Sequence, residues 1–349
     1  MSSEANGQST LVRLCELKEG EECECFALLV EKERNFDKYN KKYVKCHFRD
    51  KGTKLVAPIW SSDPMLPEAE AWPLEQAYRL RVRLENTKYG AQLKVLAIRL
   101  ATTEQDGADG YRFHDLVESS KFPPEGCYDK IVNFVTTHIA EEPLRQLVLS
   151  ILQENAELFM KMPAAQNMHH NFTGGLVEHV WSVTRACVWL ARHYAYYYSE
   201  LNPPLNLGVV VAAAVLHDIG KLRELRYSTI EARYTTRGTL IGHVQIGRDM
   251  IRDCASRIEG FSEETLMLLE HAILAHHGKA EYGAPKEPLT LEAMIVHYVD
   301  ELDAKINAVA RERMRPANGE ELFTGKIYAV DNRRFYRGIP VDPAGDELG

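Results

Sequence analysis

The sequence predicts two folds in series, a small antiparallel β-barrel followed by an all-helical domain. Up to about residue 103, apolar and polar residues alternate in short runs between turn signals. From about 127, apolar residues recur at three- and four-residue spacing. Between them TTEQDGADG, 102–110, has the composition of a linker. These features divide the chain into a barrel over 11–103, a linker over 104–126, a helical domain over 127–325 and a tail over 326–349 in which no chemistry is readable.

The barrel strands follow in order. CECFALLVEKE alternates, YVKCHFRD resumes after a polar stretch, and KLVAPIW follows the Lys51-Gly52 turn. YRLRVRLEN, a Lys88–Gly90 turn and AQLKVLAIRL complete the set. Five strand-like runs with no convincing amphipathic helix make an OB-fold the leading candidate. In the second half Leu144, Leu147, Val148 and Ile151 share one helical face, as do Leu176, Val180, Val183, Cys187 and Leu190. Residues 243–258, 262–277 and 290–312 behave alike.

Composition excludes several classes. With 45% hydrophobic and 26% charged residues among 349, the chain is globular and long enough for one large or two ordinary domains. No apolar run reaches the roughly 18 residues of a membrane helix. MSSEANGQST lacks the basic and apolar regions of a signal peptide, so a soluble cytoplasmic protein with no membrane partner is expected. Seven irregularly spaced cysteines fit a reducing compartment, and Cys23-Glu24-Cys25 reads as strand packing before metal binding. The net charge of −8 gives no global pull toward nucleic acid. Locally, residues 31–54 hold nine Lys/Arg against four Asp/Glu, and residues 79–99 hold six against one.

Ten of the 13 histidines lie between His169 and His297. His217-Asp218, in LHDIGK, ends the apolar run Leu207–Leu216, where an imidazole beside a carboxylate is costly to bury unless something binds both. His179, His243, His276-His277 and Asp300 sit on other predicted helices or at their ends. They converge only through the fold, as in metal sites built inside helical bundles. Any one alone reads more readily as a satisfied core residue; the set points to metal.

The order H…HD…H…HH…D resembles the dinuclear branch of the HD-domain metal-dependent phosphohydrolases. MPAAQNMHHNFTGGLVEHV (162–180), RGTLIGHVQIG (237–247), LAHHGKAEYGAPKEP (274–288) and HYVDELDAKINA (297–308) are further similar to the YhaM family. That family comprises bacterial 3′→5′ exoribonucleases with an N-terminal OB-fold and a C-terminal, all-α HD domain, and the likeness spans about 11–338. The resemblance implies one metal held by His179, His217, Asp218 and Asp300. It implies a second held by His243 and His276, with His277 as a further candidate and Asp218 as the bridge. Imidazole plus carboxylate suits Mn2+, with Fe, Co or Ni compatible, better than Mg2+. Two divalent ions would deprotonate a shared water and stabilise charge during in-line displacement.

Lys221, three residues after Asp218, is expected to bind a non-bridging phosphate oxygen or assist the leaving group, and His169-His170 to contact substrate. Asp303, His271 and His297 stand at helical spacing from ligands and are expected to support them from behind. His47, His114, His138 and His193 take no role.

The expected partner of the barrel is single-stranded RNA, with single-stranded DNA as an open second substrate. Phe36, Tyr39, Tyr43, Phe48 and Trp60 interleave with Lys38, Lys41, Lys42, Lys45 and Arg49. Tyr78 and Tyr89 lie among Arg79, Arg81, Arg83 and Lys88, and strand alternation places those three arginines on one face as phosphate contacts. SSDPMLPEAEAWPLEQ, with four Asp/Glu and three Pro, repels phosphate if it borders the groove.

These features predict a metal-dependent 3′-5′ exoribonuclease releasing nucleoside 5′-monophosphates, with the polarity implied by the resemblance alone. Hydrolysis of a cyclic or small nucleotide, with the barrel regulatory, is the second reading. An RNA-binding protein with a relict metal site is the non-enzymatic alternative. Subunit assembly stays open, a homo-oligomer being one option.

Overall fold

The computed structural model describes residues 11–51, 53–117, 120, 122–164, 173–227, 232–315 and 322–338. The chain forms two compact units, one up to Ser119 and the other from Ser120 onward, apart from Tyr227–Glu231.

In the first unit β1 (Glu22–Phe36), β2 (Lys42–Arg49), β3 (Lys54–Ile59), β4 (Ala77–Thr87) and β5 (Gly90–Leu100) form a closed barrel in the order β1-β2-β3-β5-β4. β1 is long because it pairs antiparallel with β4 through its first half and with β2 through its second. A bulge between Leu29 and Glu31 re-aims it from one partner to the other. β3 meets β5 in parallel at Val56↔Gln92, which closes the barrel and removes its open edges. The period-two pattern turns Cys23, Cys25, Ala27 and Leu29 of β1 inward against Phe48, Leu80 and Val82. All seven cysteines are free thiols, and burial pushes Cys25 up to about 12, so the C-x-C pair is packing rather than chemistry.

Two local features depart from the sequence reading. The Pro- and acid-rich stretch forms one short helix, α1 (Leu66–Ala71), too brief to show a helical period, with Pro at its start. Its Ala69 joins the barrel core, and Lys32 Nζ caps its end by donating to the carbonyls of Ala69, Glu70 and Trp72 at 3.3, 2.8 and 2.7 Å. The first part of the segment with linker composition is packed. There α2 (Thr103–Asp106) buries Asp106, while Tyr111, Leu116 and Val117 cover Leu28, Val30 and Ala77.

The second unit contains α3 (Pro124–His138), α4 (Glu142–Glu154), α5 (Ala156–Lys161), α6 (Gly175–Tyr197), α7 (Leu207–Leu216) and α8 (Lys221–Glu224). The ribbon β6 (Leu225–Tyr227) and β7 (Ala232–Tyr234) follows, then α9 (Thr236–Ile241), α10 (His243–Ala255), α11 (Glu263–Ala275) and α12 (Leu291–Met314). Val209 through Leu216 have no exposed surface, so α7 is the central helix, with α3, α4, α6, α11 and α12 around it. Asn206 starts it, its side-chain oxygen accepting from Val209 N–H at 3.1 Å. His217-Asp218 therefore emerges at the C-terminal end of the most buried element. Among the described residues no helix is long and apolar enough to cross a membrane.

Candidate metal centre

The predicted ligands converge. His179 on α6, His217 at the end of α7 and Asp300 on α12 form one group, and His243, His276 and His277 at the start of α10 and the end of α11 form another. In the first, His179 Nε2 lies 3.3 Å from His217 Nε2 and 3.1 Å from Asp300 Oδ1. Asp218 stands between the two groups. Its Oδ2 is 3.3 Å from His217 Nε2, and its Oδ1 is 3.5 Å from His243 Nε2. Gly220 permits this approach, because a Cβ there would stand 2.0 Å from the carbonyl oxygen of His243.

Each imidazole is oriented from behind through Nδ1. His217 Nδ1 faces the carbonyl of Ala214 at 2.9 Å, His276 that of Ile273 at 2.6 Å and His277 that of Tyr282 at 2.8 Å. His179 Nδ1 faces Asp303 at 2.8 Å, and His243 Nδ1 faces Glu224 at 3.0 Å. With Nδ1 donating, the Nε2 atoms of His217, His243, His276 and His277 present lone pairs, while His179 Nε2 faces the carboxylate of Asp300 at 3.1 Å. Three inward atoms, Asp218 Oδ1, His243 Nε2 and His276 Nε2, are buried without a hydrogen-bond partner among the described residues. Orphaned acceptors gathered at one point fit a cation, and the nitrogen-oxygen donor set suits a divalent transition metal.

The electrostatics agree. Burial works against charge on Asp218, yet Lys221, His217 and His243 hold its carboxyl well below the usual range. Burial likewise opposes ionised Asp300, which His217 and His179 hold low. Burial, then neighbouring imidazoles, keep His276 and His277 below their ordinary values and therefore neutral. His179 is the exception: burial would lower it, but Asp300 and Asp303 push it up to about 10, so its Nε2 holds a proton toward Asp300 that a bound cation would displace.

Lys221 Nζ donates to Asp218 Oδ2 at 2.7 Å and is itself buried. His297 donates through Nδ1 to the carbonyl of His276, 2.8 Å away, and His271 Nε2 accepts from Leu289 N–H at 2.9 Å. Asp303 also accepts from Ser182 Oγ at 2.5 Å, so both its oxygens are engaged in holding α6 to α12. Glu224 escaped sequence reasoning. In KLRELRY it reads as a surface charge, yet it is buried and accepts from both the backbone N–H and the ring of His243. His169 and His170 lie outside the described residues.

In the barrel Arg79, expected to contact phosphate, is engaged within the fold. Its guanidinium binds Glu24 at 2.7 Å, Asp106 at 3.1 Å and Asp109 at 2.5 Å, so it ties strand to strand and to α2. Arg81 and Arg83 do share its face, but both reach Glu22, at 3.4 and 2.5 Å, which leaves the pair one net positive charge. The exposed rings lie elsewhere. Phe36 precedes the β1–β2 turn and Tyr39 lies in it, Trp60 is exposed with half-buried Tyr43 stacked on it at 4.5 Å, and Tyr89 caps the β4–β5 turn beside Lys88. Tyr78 and Phe48 are core. A further grouping, Glu31, Glu33 and His47, is charge-matched by Lys54 at 2.9 Å and Lys45 at 3.7 Å.

The HD domain family matches residues 176–305, and a second family, TraI_2, matches 129–204. The second OB-fold domain of replication protein A from Methanococcus maripaludis matches 26% of this chain and 94% of its own at 14% identity and a TM-score of 0.21. Asparaginyl-tRNA synthetase from Pyrococcus horikoshii matches 41% of this chain and 34% of its own at 12% identity and a TM-score of 0.23. The 3′-5′ exoribonuclease YhaM of Geobacillus sp. (strain WCH70) is 32% identical over 320 residues, covering 92% of this chain and 93% of that protein. An OB-like barrel, an HD domain and this end-to-end similarity lead to one conclusion: the chain belongs to the YhaM family.

Proposed function

We propose that the chain is a metal-dependent 3′-5′ exoribonuclease that hydrolyses the terminal phosphodiester of single-stranded RNA and releases nucleoside 5′-monophosphates. The observation that carries this reading is the inward convergence of imidazole Nε2 atoms on Asp218 and Asp300, in a chain whose relative is named as such an enzyme. His179, His217, Asp218 and Asp300 would hold one ion, and His243, His276 and His277 a second, with Asp218 shared. Mn2+ is the ion we assign, on the mixed nitrogen-oxygen donors. Bound divalent metal supplies Lewis-acid charge and a nucleophile at neutral pH.

The remaining work falls to this chain's own residues. Glu224 and Asp303 fix the rings of His243 and His179. Lys221 has three N–H donors; one engages Asp218, and we assign the others to a phosphate oxygen. The exposed rings of the barrel turns, with Lys38, Lys41, Lys42 and Lys88, would stack and neutralise single-stranded RNA, aided by Arg81 and Arg83. A cytoplasmic setting is supported by seven free thiols.

The test is cleavage of 5′-labelled single-stranded RNA, single-stranded DNA and cyclic dinucleotides by the full chain with Mn2+. A ladder of shortened RNAs, abolished in Asp218→Ala, is expected. Cleavage of cyclic dinucleotides alone, or a wild-type rate in Asp218→Ala, would overturn the reading.

A further inference from the structure

The C-terminal half of α6 carries a surface that the metal centre does not use. Trp189, Tyr196 and Tyr197 are exposed at 67, 87 and 67%. Their rings form a ladder: Trp189 stacks on His193 at 5.8 Å and 6°, and His193 on Tyr197 at 6.3 Å and 22°. On a parallel row Tyr194 stacks on Tyr198 at 6.2 Å and 19°. Such four-residue spacing lines up side chains on one helical face, so the ladder is built into the sequence WLARHYAYYY. Beside it a groove of about 460 Å³ is lined by Phe134, Arg185, Trp189, Arg192 and Tyr196, among others.

Charge decides what this face fits. From His179 to Ser199 there is no Asp or Glu. Arg185 lies by Trp181, its guanidinium carbon 5.3 Å from the ring, and Arg192 donates to His138 Nδ1 at 3.4 Å; neither pairs with a carboxylate among the described residues. Burial, then Arg192 itself, lowers the His138 imidazole, consistent with that acceptor role. The arginines of the barrel are different, for Arg79 is neutralised by Glu24, Asp106 and Asp109, and Arg81 and Arg83 share Glu22. A twofold contact between copies of this chain would set the same basic patch against itself. Flat rings interleaved with uncompensated guanidinium groups instead match bases and phosphates.

We infer that this face is a second binding site for single-stranded RNA, holding the body of the strand upstream of the 3′ end. The inference rests on the exoribonuclease reading for the identity of its ligand. Trp189 and Tyr196 lie 10 and 17 residues beyond His179 on the same helix, about 15 and 25 Å along its axis. These spans set the length of strand that would be needed to reach the face from the metal centre.

The experiment measures binding of a fluorescent 20-nucleotide single-stranded RNA to the full chain in EDTA, where no cleavage occurs. Removing two stacking rings in Trp189→Ala/Tyr196→Ala raises Kd at least tenfold, and Arg192→Gln reduces the salt slope by about one charge. Sedimentation of each protein is run alongside. A Kd within twofold of wild type overturns the inference, as does an affinity loss that tracks a change in oligomeric state. Failure of the wild-type chain to degrade RNA with Mn2+ would instead overturn the functional reading, while the binding measurement still decides this one.

Discussion

Asp303 and Glu224 coordinate nothing in our assignment, yet they set the two imidazoles on which it depends. Each carboxylate accepts from Nδ1 of a ligand histidine, which fixes the tautomer and raises the basicity of Nε2. Losing such a partner typically costs about 10–100-fold in metal affinity. Asp303→Ala is therefore expected to weaken the ion held by His179, and Glu224→Ala the ion held by His243. Calorimetric titration with Mn2+ checks both, and an unchanged affinity in either variant would remove that residue from the site. His217-Asp218 could be found in the sequence because the preceding apolar run announced burial, which made a bare imidazole and carboxylate conspicuous. Glu224 could not, because nothing local distinguishes it from the solvated charges beside it. The partners of Arg79 were hidden for a related reason: the carboxylates that engage it stand 55, 27 and 30 residues away in the chain.

The strands were legible because a barrel wall has one wet and one dry face, and that alternation is written residue by residue. α7 was legible as an apolar run, and α6 and α10–α12 as helical periods. α1 and α2 were not, since six and four residues span too few turns to show a period. Asp106 on α2 illustrates what composition hides. Hydrogen bonds from Arg99, then from Thr102 N–H and Arg79, hold its carboxyl well below the usual range against the opposing effect of burial. A carboxyl with a lowered folded-state pKa contributes stability above its unfolded value, about 3.9, and loses it as pH falls further. Asp106→Asn is expected to cost about 2 kcal/mol at neutral pH, in the range of hydrogen bonds to charged groups, and to flatten the barrel's decline below about pH 4. Urea unfolding between pH 2.5 and 7 measures both. Parallel wild-type and variant curves would show that Asp106 is not the titrating group.

Two compact units in one chain imply two responses to metal. The proposed ligands belong to the second unit alone, so an ion that binds only its folded form stabilises that unit by mass action. Free Mn2+ at about 100 times Kd adds roughly 2.7 kcal/mol per site. Scanning calorimetry is expected to show one transition moving upward with Mn2+ and back with EDTA, while the barrel's transition stays in place. A barrel transition that follows the metal would mean that the two units unfold as one cooperative body.

The histidine anchors also bear on how such a centre changes over generations. Ala214, Ile273 and Tyr282 orient their rings through main-chain carbonyls, which no single-codon change deletes. His179 and His243 alone among the proposed ligands rely on side chains for that service. Heritable drift in metal preference therefore has few entry points that keep all the ligands. Asp303 and Glu224 are the two dials, one for each ion.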